Sequence, residues 1–240
     1  FLVGISSLFT AYSGQALETA RIVKAFHPGC KVVLGGHHPT ALPREALSDP
    51  AVDFIIRGEG EISMPLLARA LESGQPADRI PGIGYRASDG SFRISQPTFV
   101  ADLETIPEPA LDLVNRKFYR RKDFAAVVVA SRGCPMHCSY CSMGANSPLP
   151  YRKRSADSVA KEIENAVQRF GARFIEFEDE NLSLDRKEFL SLLKSVRTRF
   201  GHLNPELRAM NGLFPPSLDE ETVCAMKQAG FRALNLSLGT

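Results

Sequence analysis

The sequence has little charge bias. Lys and Arg number 29 against 27 Asp and Glu, a net charge of +2. That is too weak to argue for nucleic acid or an anionic membrane as partner. No apolar run approaches the ~20 residues of a membrane span. The opening, Phe1-Leu2-Val3-Gly4-Ile5, lacks the charged head and small-residue cleavage site of a signal peptide. A paired set of cysteines is missing too. Five occur, an odd number, and three of them crowd into one short stretch. Without a secretory signal this argues against a disulfide framework and for a reducing, cytoplasmic compartment. There is no initiator Met, and both ends are apolar, Phe1 to Leu8 and Ala233 to Leu238. Such ends read as a fragment truncated on both sides. What is present is ordinary for a folded chain: 240 residues, 44% hydrophobic and 23% charged. At about 150 residues per domain, that length holds between one and two domains.

Hydrophobic periodicity divides the chain into three parts. Over residues 1–74, strand-length runs alternate with helical spacing. Val3 to Leu8, Lys31 to Leu34 and Asp53 to Ile56 read as strands. Ala16, Leu17, Ala20 and Val23 recur at helical spacing, as do Leu66, Leu67, Ala70 and Leu71, with a short helix between at Arg44 to Leu47. Alternating strands and helices predict a parallel sheet with helices on its faces. Residues 75–122 read as a Pro-rich linker with a small hairpin around Asp89-Gly90. Over residues 123–240 the alternation returns. Ala125 to Ala130, Phe174 to Phe177, Leu207 to Met210 and Ala233 to Leu238 are strand-like. Ser155 is a helix N-cap, and Phe189, Leu192, Leu193, Val196 and Phe200 form a helical stripe. That is four strand–helix units or part-units, about half of an eight-unit barrel.

Cys134, Cys138 and Cys141 lie in Ser131-Arg132-Gly133-Cys134-Pro135-Met136-His137-Cys138-Ser139-Tyr140-Cys141, just after the strand that ends at Ala130. The C-terminal strand ends are where barrel active sites sit. Thiolates select zinc, copper(I) or iron–sulfur clusters. Structural zinc asks for four ligands, typically in two pairs, and no second pair is here. Three thiolates suit a [4Fe–4S] cluster with one open iron, since a closed cluster uses four. Cys30 and Cys224 stand alone and read as packing residues.

This stretch resembles the signature of the radical S-adenosylmethionine (SAM) enzymes: three cysteines spaced three and two, with the aromatic Tyr140 before the last. Ser131-Arg132-Gly133-Cys134-Pro135 and Tyr151-Arg152-Lys153-Arg154-Ser155 are similar to the cobalamin-binding branch of that superfamily. The resemblance covers nearly the whole chain. The fold it implies is α/β: the C-terminal part of a Rossmann-like cobalamin-binding domain, then the first half of a radical SAM partial (β/α) barrel. It implies that Cys134, Cys138 and Cys141 hold a [4Fe–4S] cluster whose open iron chelates SAM. One electron then cleaves the sulfonium to a 5′-deoxyadenosyl radical, with cobalamin carrying a methyl group or assisting another radical step. The electron would come from a donor such as a flavodoxin or ferredoxin. The substrate, a small molecule of natural-product or lipid-like kind, is not named by the sequence.

Glu178-Asp179-Glu180-Asn181 follows the second barrel strand. Crowded carboxylates repel and raise one another's pKa, and a cationic partner relieves this. By the resemblance that partner is the SAM ammonium, with Asp179 and Glu180 the acidic pair and Tyr140, Asn211 and Ser237 further SAM contacts. Many relatives place a Glu where this chain has Gly239. In the first part, Ser6 and Ser7 resemble the strand end lining the pocket for the nucleotide tail of cobalamin. Gly35-Gly36 resembles the glycine pair that lets backbone approach that ligand. Gly58-Glu59-Gly60-Glu61 supports the match. His37 and His38 read as loop residues near the corrin, and no lower-axial histidine is assigned. The competing reading is a non-catalytic metal- or cluster-binding module with a receiver-like domain. It predicts no SAM cleavage and no corrin binding.

Overall fold

The computed structural model describes residues 1–113, 124–136, 138, 139, 141, 150–200 and 205–236. The chain forms two compact units, Phe1–Ala101 and Asp102–Thr240.

The first unit is a five-stranded sheet in the order β1-β2-β3-β4-β5. Its strands are β1 Leu2–Ser6, β2 Lys31–Gly35, β3 Phe54–Ile56, β4 Ile83–Arg86 and β5 Phe92–Ile94. The first three run parallel and the last two are antiparallel. The helices are α1 Ser13–Phe26, α2 His37–Ala41, α3 Pro43–Ser48 and α4 Gly60–Glu72. Side chains alternate across a strand, and β2 shows the result. Val32 and Leu34 join Ala16, Ala20, Leu47 and Ile55 in one core. Val33 faces the other way, onto Ile56, Leu67, Ile80 and Ile83.

The hairpin of the expected 75–122 linker lies in this sheet. β4 pairs with β3 in the register Phe54↔Tyr85 and Ile56↔Ile83. Gly84 permits the fit, because a Cβ there would come 2.7 Å from Ile55 Cγ1. Residue 98 is tied back as well: Thr98 N donates to the Arg57 carbonyl at 3.2 Å and Glu59 N to the Thr98 carbonyl at 2.8 Å. His37 and His38, expected in a loop, open the one-turn helix α2.

The second unit holds a three-stranded parallel sheet. Its order is β10 (Glu206–Arg208), β9 (Phe174–Phe177), β6 (Ala125–Val128). A short antiparallel pair, β7 Ser131–Arg132 and β8 Arg152–Lys153, follows β6. Helices α5 Ala156–Phe170, α6 Arg186–Phe200 and α7 Glu220–Ala229 complete it. The Ser155 hydroxyl caps α5, accepting from Ser158 N at 3.2 Å, and Gly171 ends the helix at φ +73°. The α6 stripe is buried from Phe189 to Phe200 in one core with Val159, Ile163, Ile175, Phe177 and Leu207. The expected fourth strand, Ala233 to Leu238, does not form over its described residues. Only Leu236 makes a bridge, to Leu213; residues 237 and 238 lie outside the described set. Among the described residues no helix is long and apolar enough to cross a membrane.

Candidate functional site

The C-terminal strand ends of each unit gather its distinctive polar groups. In the second unit the cysteine loop follows β6 and the short strand β7. Cys134, Cys138 and Cys141 are partly exposed free thiols, and Cys141 N donates to the Cys138 carbonyl at 3.0 Å. Among the described residues, no three His, Cys, Asp or Glu side chains converge on one point as a metal site.

The root of this loop is held from both sides. Asp179, at the end of β9, is 1% exposed. Its carboxylate accepts from Ala130 N at 3.1 Å, from Ser131 Oγ at 2.6 Å and from Ser131 N. Burial pushes its pKa up to about 6, against the pull of the Ser131 hydroxyl and the two backbone donors. Glu180 Oε2 accepts from Gly133 N at 3.0 Å, where the backbone is left-handed, φ +82°. On the opposite side, Arg154 N donates to the Ala130 carbonyl at 2.9 Å and Arg154 Nη1 to the Val129 carbonyl at 3.1 Å.

Glu176 in β9 and Glu178 just after it face the segment that follows β10. Glu176 Oε1 accepts from Met210 N at 2.8 Å and Glu178 Oε2 from Asn211 Nδ2 at 2.8 Å. So the residues expected around SAM are placed unevenly. Asp179 turns inward with both oxygens engaged by Ala130 and Ser131. Glu180 and Asn211 stay at the exposed strand ends. Tyr140 and Ser237 lie outside the described residues. Arg154 stood in a quoted motif without a role. Its signal was an arginine just before a helix cap, but its carbonyl partners are invisible in sequence.

In the first unit, β1 and β2 end side by side. Ser7 N donates to the Gly35 carbonyl at 2.8 Å and His38 N to the Ser7 carbonyl at 3.1 Å. Gly36 has φ +106°, and a Cβ there would meet the Ser7 carbonyl oxygen at 2.7 Å. A Cβ at Gly35 would meet nothing within 4 Å, so Gly36 serves chain packing while Gly35 borders open space. Thr40 Oγ1 donates to the Gly36 carbonyl at 2.7 Å and accepts from Gly58 N at 2.9 Å, which ties α2 to β3. Ser6 is exposed. Ser7 and His38 are 3% and 1% exposed, yet Ser7 Oγ and His38 Nε2 have no hydrogen-bond partner among the described residues. Buried polar atoms without partners are costly and rare. Two of them at one strand end fit a polar ligand group. The sequence reads His38 as a loop residue near the corrin, but nothing there shows that it is buried.

Residues 1–68 match the family model of the B12 binding domain and residues 128–240 that of the radical SAM superfamily. The chain belongs to the B12-binding branch of the radical SAM superfamily. The two families fix its cofactor classes: cobalamin for the first domain, SAM and a [4Fe–4S] cluster for the second. It is 29% identical over 232 residues to the uncharacterized methyltransferase PH0819 of Pyrococcus horikoshii, covering 95% of this chain and 49% of that protein. It is 32% identical over 206 residues to the anaerobic magnesium-protoporphyrin IX monomethyl ester cyclase of Rubrivivax gelatinosus, covering 82% of this chain and 37% of that one. The radical SAM methyltransferase TsrM of Kitasatospora setae, solved with tryptophan and a SAM analogue, shares the fold. The TM-score is 0.80 at 22% identity, over 98% of this chain and 48% of TsrM. The chain thus spans about half or less of the length of these relatives.

Proposed function

We propose that this chain carries the cofactor-binding part of a cobalamin-dependent radical SAM enzyme. Its reaction is methyl transfer to, or another radical modification of, a small-molecule substrate. The observation that carries this reading is the set of three free thiols on one loop at the C-terminal end of a parallel strand. Three soft donors with no fourth suit a [4Fe–4S] cluster that keeps one iron open. Cys134, Cys138 and Cys141 would hold it. Glu180 and Asn211, at the neighbouring strand ends, would meet the amino and carboxylate groups of SAM, with Tyr140 and Ser237 beside them. When bound, the cluster and SAM supply a carbon-centred radical and cobalamin a methyl carrier. Gly35 leaves room for the corrinoid tail, while Ser7 Oγ and His38 Nε2 offer it their unused hydrogen bonds. PH0819 and TsrM are named methyltransferases and the Rubrivivax relative a cyclase. Methyl transfer and ring formation are therefore both within range.

A small reducing protein of the flavodoxin or ferredoxin kind would deliver the electron. The free cysteines and the lack of a membrane-spanning helix among the described residues support a cytoplasmic enzyme. Anaerobic reconstitution tests the reading. About four irons per chain are expected, with 5′-deoxyadenosine formed from SAM on reduction, and both lost in Cys138→Ala. Zinc in place of iron, or product formation unchanged by that substitution, would sink it.

A further inference from the structure

We propose that Asp179 is a positioning residue for the cysteine loop, and does not itself bind SAM. A carboxylate that neutralised a ligand's ammonium would present an oxygen to the ligand. Asp179 is buried at 1% exposure, and its oxygens are occupied by Ala130 N, Ser131 N and Ser131 Oγ. Those groups lie three and four residues before Cys134, between the end of β6 and the start of β7.

The geometry is that of a two-sided clamp. Anionic acceptors hold the amides, Asp179 those of residues 130 and 131 and Glu180 that of residue 133. On the other side Arg154 holds the carbonyls of residues 129 and 130. The 129–130 and 130–131 peptide groups are thereby held at both amide and carbonyl by partners of opposite polarity. Hydrogen bonds to charged groups are the stronger kind. A site that must place ligands within about 0.5 Å needs this support around it. Glu176 and Glu178 hold Met210 N and Asn211 in the same way on the other side of β9. The acidic run after β9 is thus a central fastening for the strand ends on either side.

The role in cluster placement rests on the proposed function; the clamp itself does not. The test therefore has two arms. The first uses the protein before reconstitution, without iron or SAM, and reads backbone amide exchange over residues 129–134. In Asp179→Asn a single acceptor oxygen remains for donors that used two, so exchange at residues 130 and 131 is expected to rise about tenfold. Glu180→Gln keeps an acceptor for Gly133 N and leaves exchange unchanged. Should Asp179→Asn fail to fold, Ser131→Ala removes only the hydroxyl donor and gives a smaller rise at residue 131, whose amide shares Asp179 Oδ1 with that hydroxyl. Wild-type exchange in the variant that folds overturns the proposal.

The second arm uses the reconstituted protein. Asp179→Asn is expected to bind SAM with unchanged Kd, to alter the electron paramagnetic resonance signal of the reduced cluster, and to cleave SAM about tenfold more slowly. A Kd weakened tenfold with exchange unchanged would make Asp179 a SAM ligand and overturn the proposal. Failure of the wild-type protein to take up iron would remove the proposed function but leave the first arm standing.

Discussion

Arg154 and Glu162 form a buried ion pair behind the cysteine loop, with 15% and 7% of their side-chain surface exposed. The guanidinium also reaches the Val129 carbonyl at 3.1 Å and the Ser158 hydroxyl at 3.0 Å. Burial raises the pKa of Glu162, and Arg154 offsets part of that. Such a pair adds little over apolar packing, but removing one partner strands the other charge. Glu162→Ala should therefore cost about 3 kcal/mol. Glu162→Gln should cost less, because its amide oxygen still accepts from Arg154. Urea denaturation of the two variants at pH 7 compares them. Equal losses would mean that the pair acts through its charge alone and that the hydrogen bond kept in Glu162→Gln contributes nothing.

Gly35 and Gly36 should respond differently to a methyl group. Gly36→Ala puts a Cβ 2.7 Å from the Ser7 carbonyl at φ +106°. Left-handed strain alone costs of order 1–3 kcal/mol, and the strand end carrying Ser7 must also move. Lower stability and lost cobalamin binding are expected together. Gly35→Ala enters open space, so its stability should stay at the wild-type level while cobalamin binding weakens. Thermal unfolding beside absorbance titration with hydroxocobalamin separates the two. A destabilised Gly35→Ala would contradict the open space.

Local features were legible in the sequence. The Ser155 cap and the α6 stripe from Phe189 to Phe200 are set by residues a turn or two apart, and both form where expected. The hairpin at Asp89-Gly90 was legible as a hairpin but not as part of the first sheet. Its partner, β3, is far off in sequence, and the fit depends on Gly84 lying against Ile55. Asp179 shows the same limit in the site. The sequence displays four polar residues in a row, which suggests a cationic ligand. The donors that engage Asp179 lie 48 and 49 residues upstream, so only the fold reveals that it faces backbone. His38 read as a loop residue for the same reason, since its burial comes from elements distant in the chain.

Phe177 carries much of the second unit's core. It is 1% exposed and stacks on Phe231 with ring centroids 6.2 Å apart and planes 12° apart. Phe189 meets Phe231 edge-on at 6.3 Å. Aromatic pairs of this kind add to area burial. Phe177→Ala should cost about 3–5 kcal/mol, and Phe177→Leu, which keeps most of the volume, clearly less. Denaturant titration of both variants reads the difference. A Phe177→Ala loss as small as that of Phe177→Leu would show that the core closes over the cavity.

Asp53 and Asp179 should drive stability in opposite directions with pH. Asp53 in the first unit meets Lys24 Nζ at 2.5 Å, Lys31 Nζ at 3.2 Å and Val32 N at 2.8 Å. Burial alone would raise its pKa, but these partners outweigh it and the pKa is lowered. Its contribution is present above the unfolded value of 3.8 and is lost as pH falls through the lower folded value. Asp179 is raised from 3.8 to about 6. Between those values the folded state binds a proton that the unfolded state does not. Its contribution is full below 3.8 and is lost as pH rises through about 6. Two pH units at 1.36 kcal/mol each make this roughly 3 kcal/mol. The measurement is the stability of wild type minus that of Asp179→Asn, at pH 4 and pH 7, before reconstitution. The difference should favour wild type more at pH 4. The matching difference for Asp53→Asn should change the other way as pH falls below 4. A wild-type minus Asp179→Asn difference that stays flat from pH 4 to 7 would mean that the Ala130 and Ser131 donors fully compensate the burial of the carboxylate.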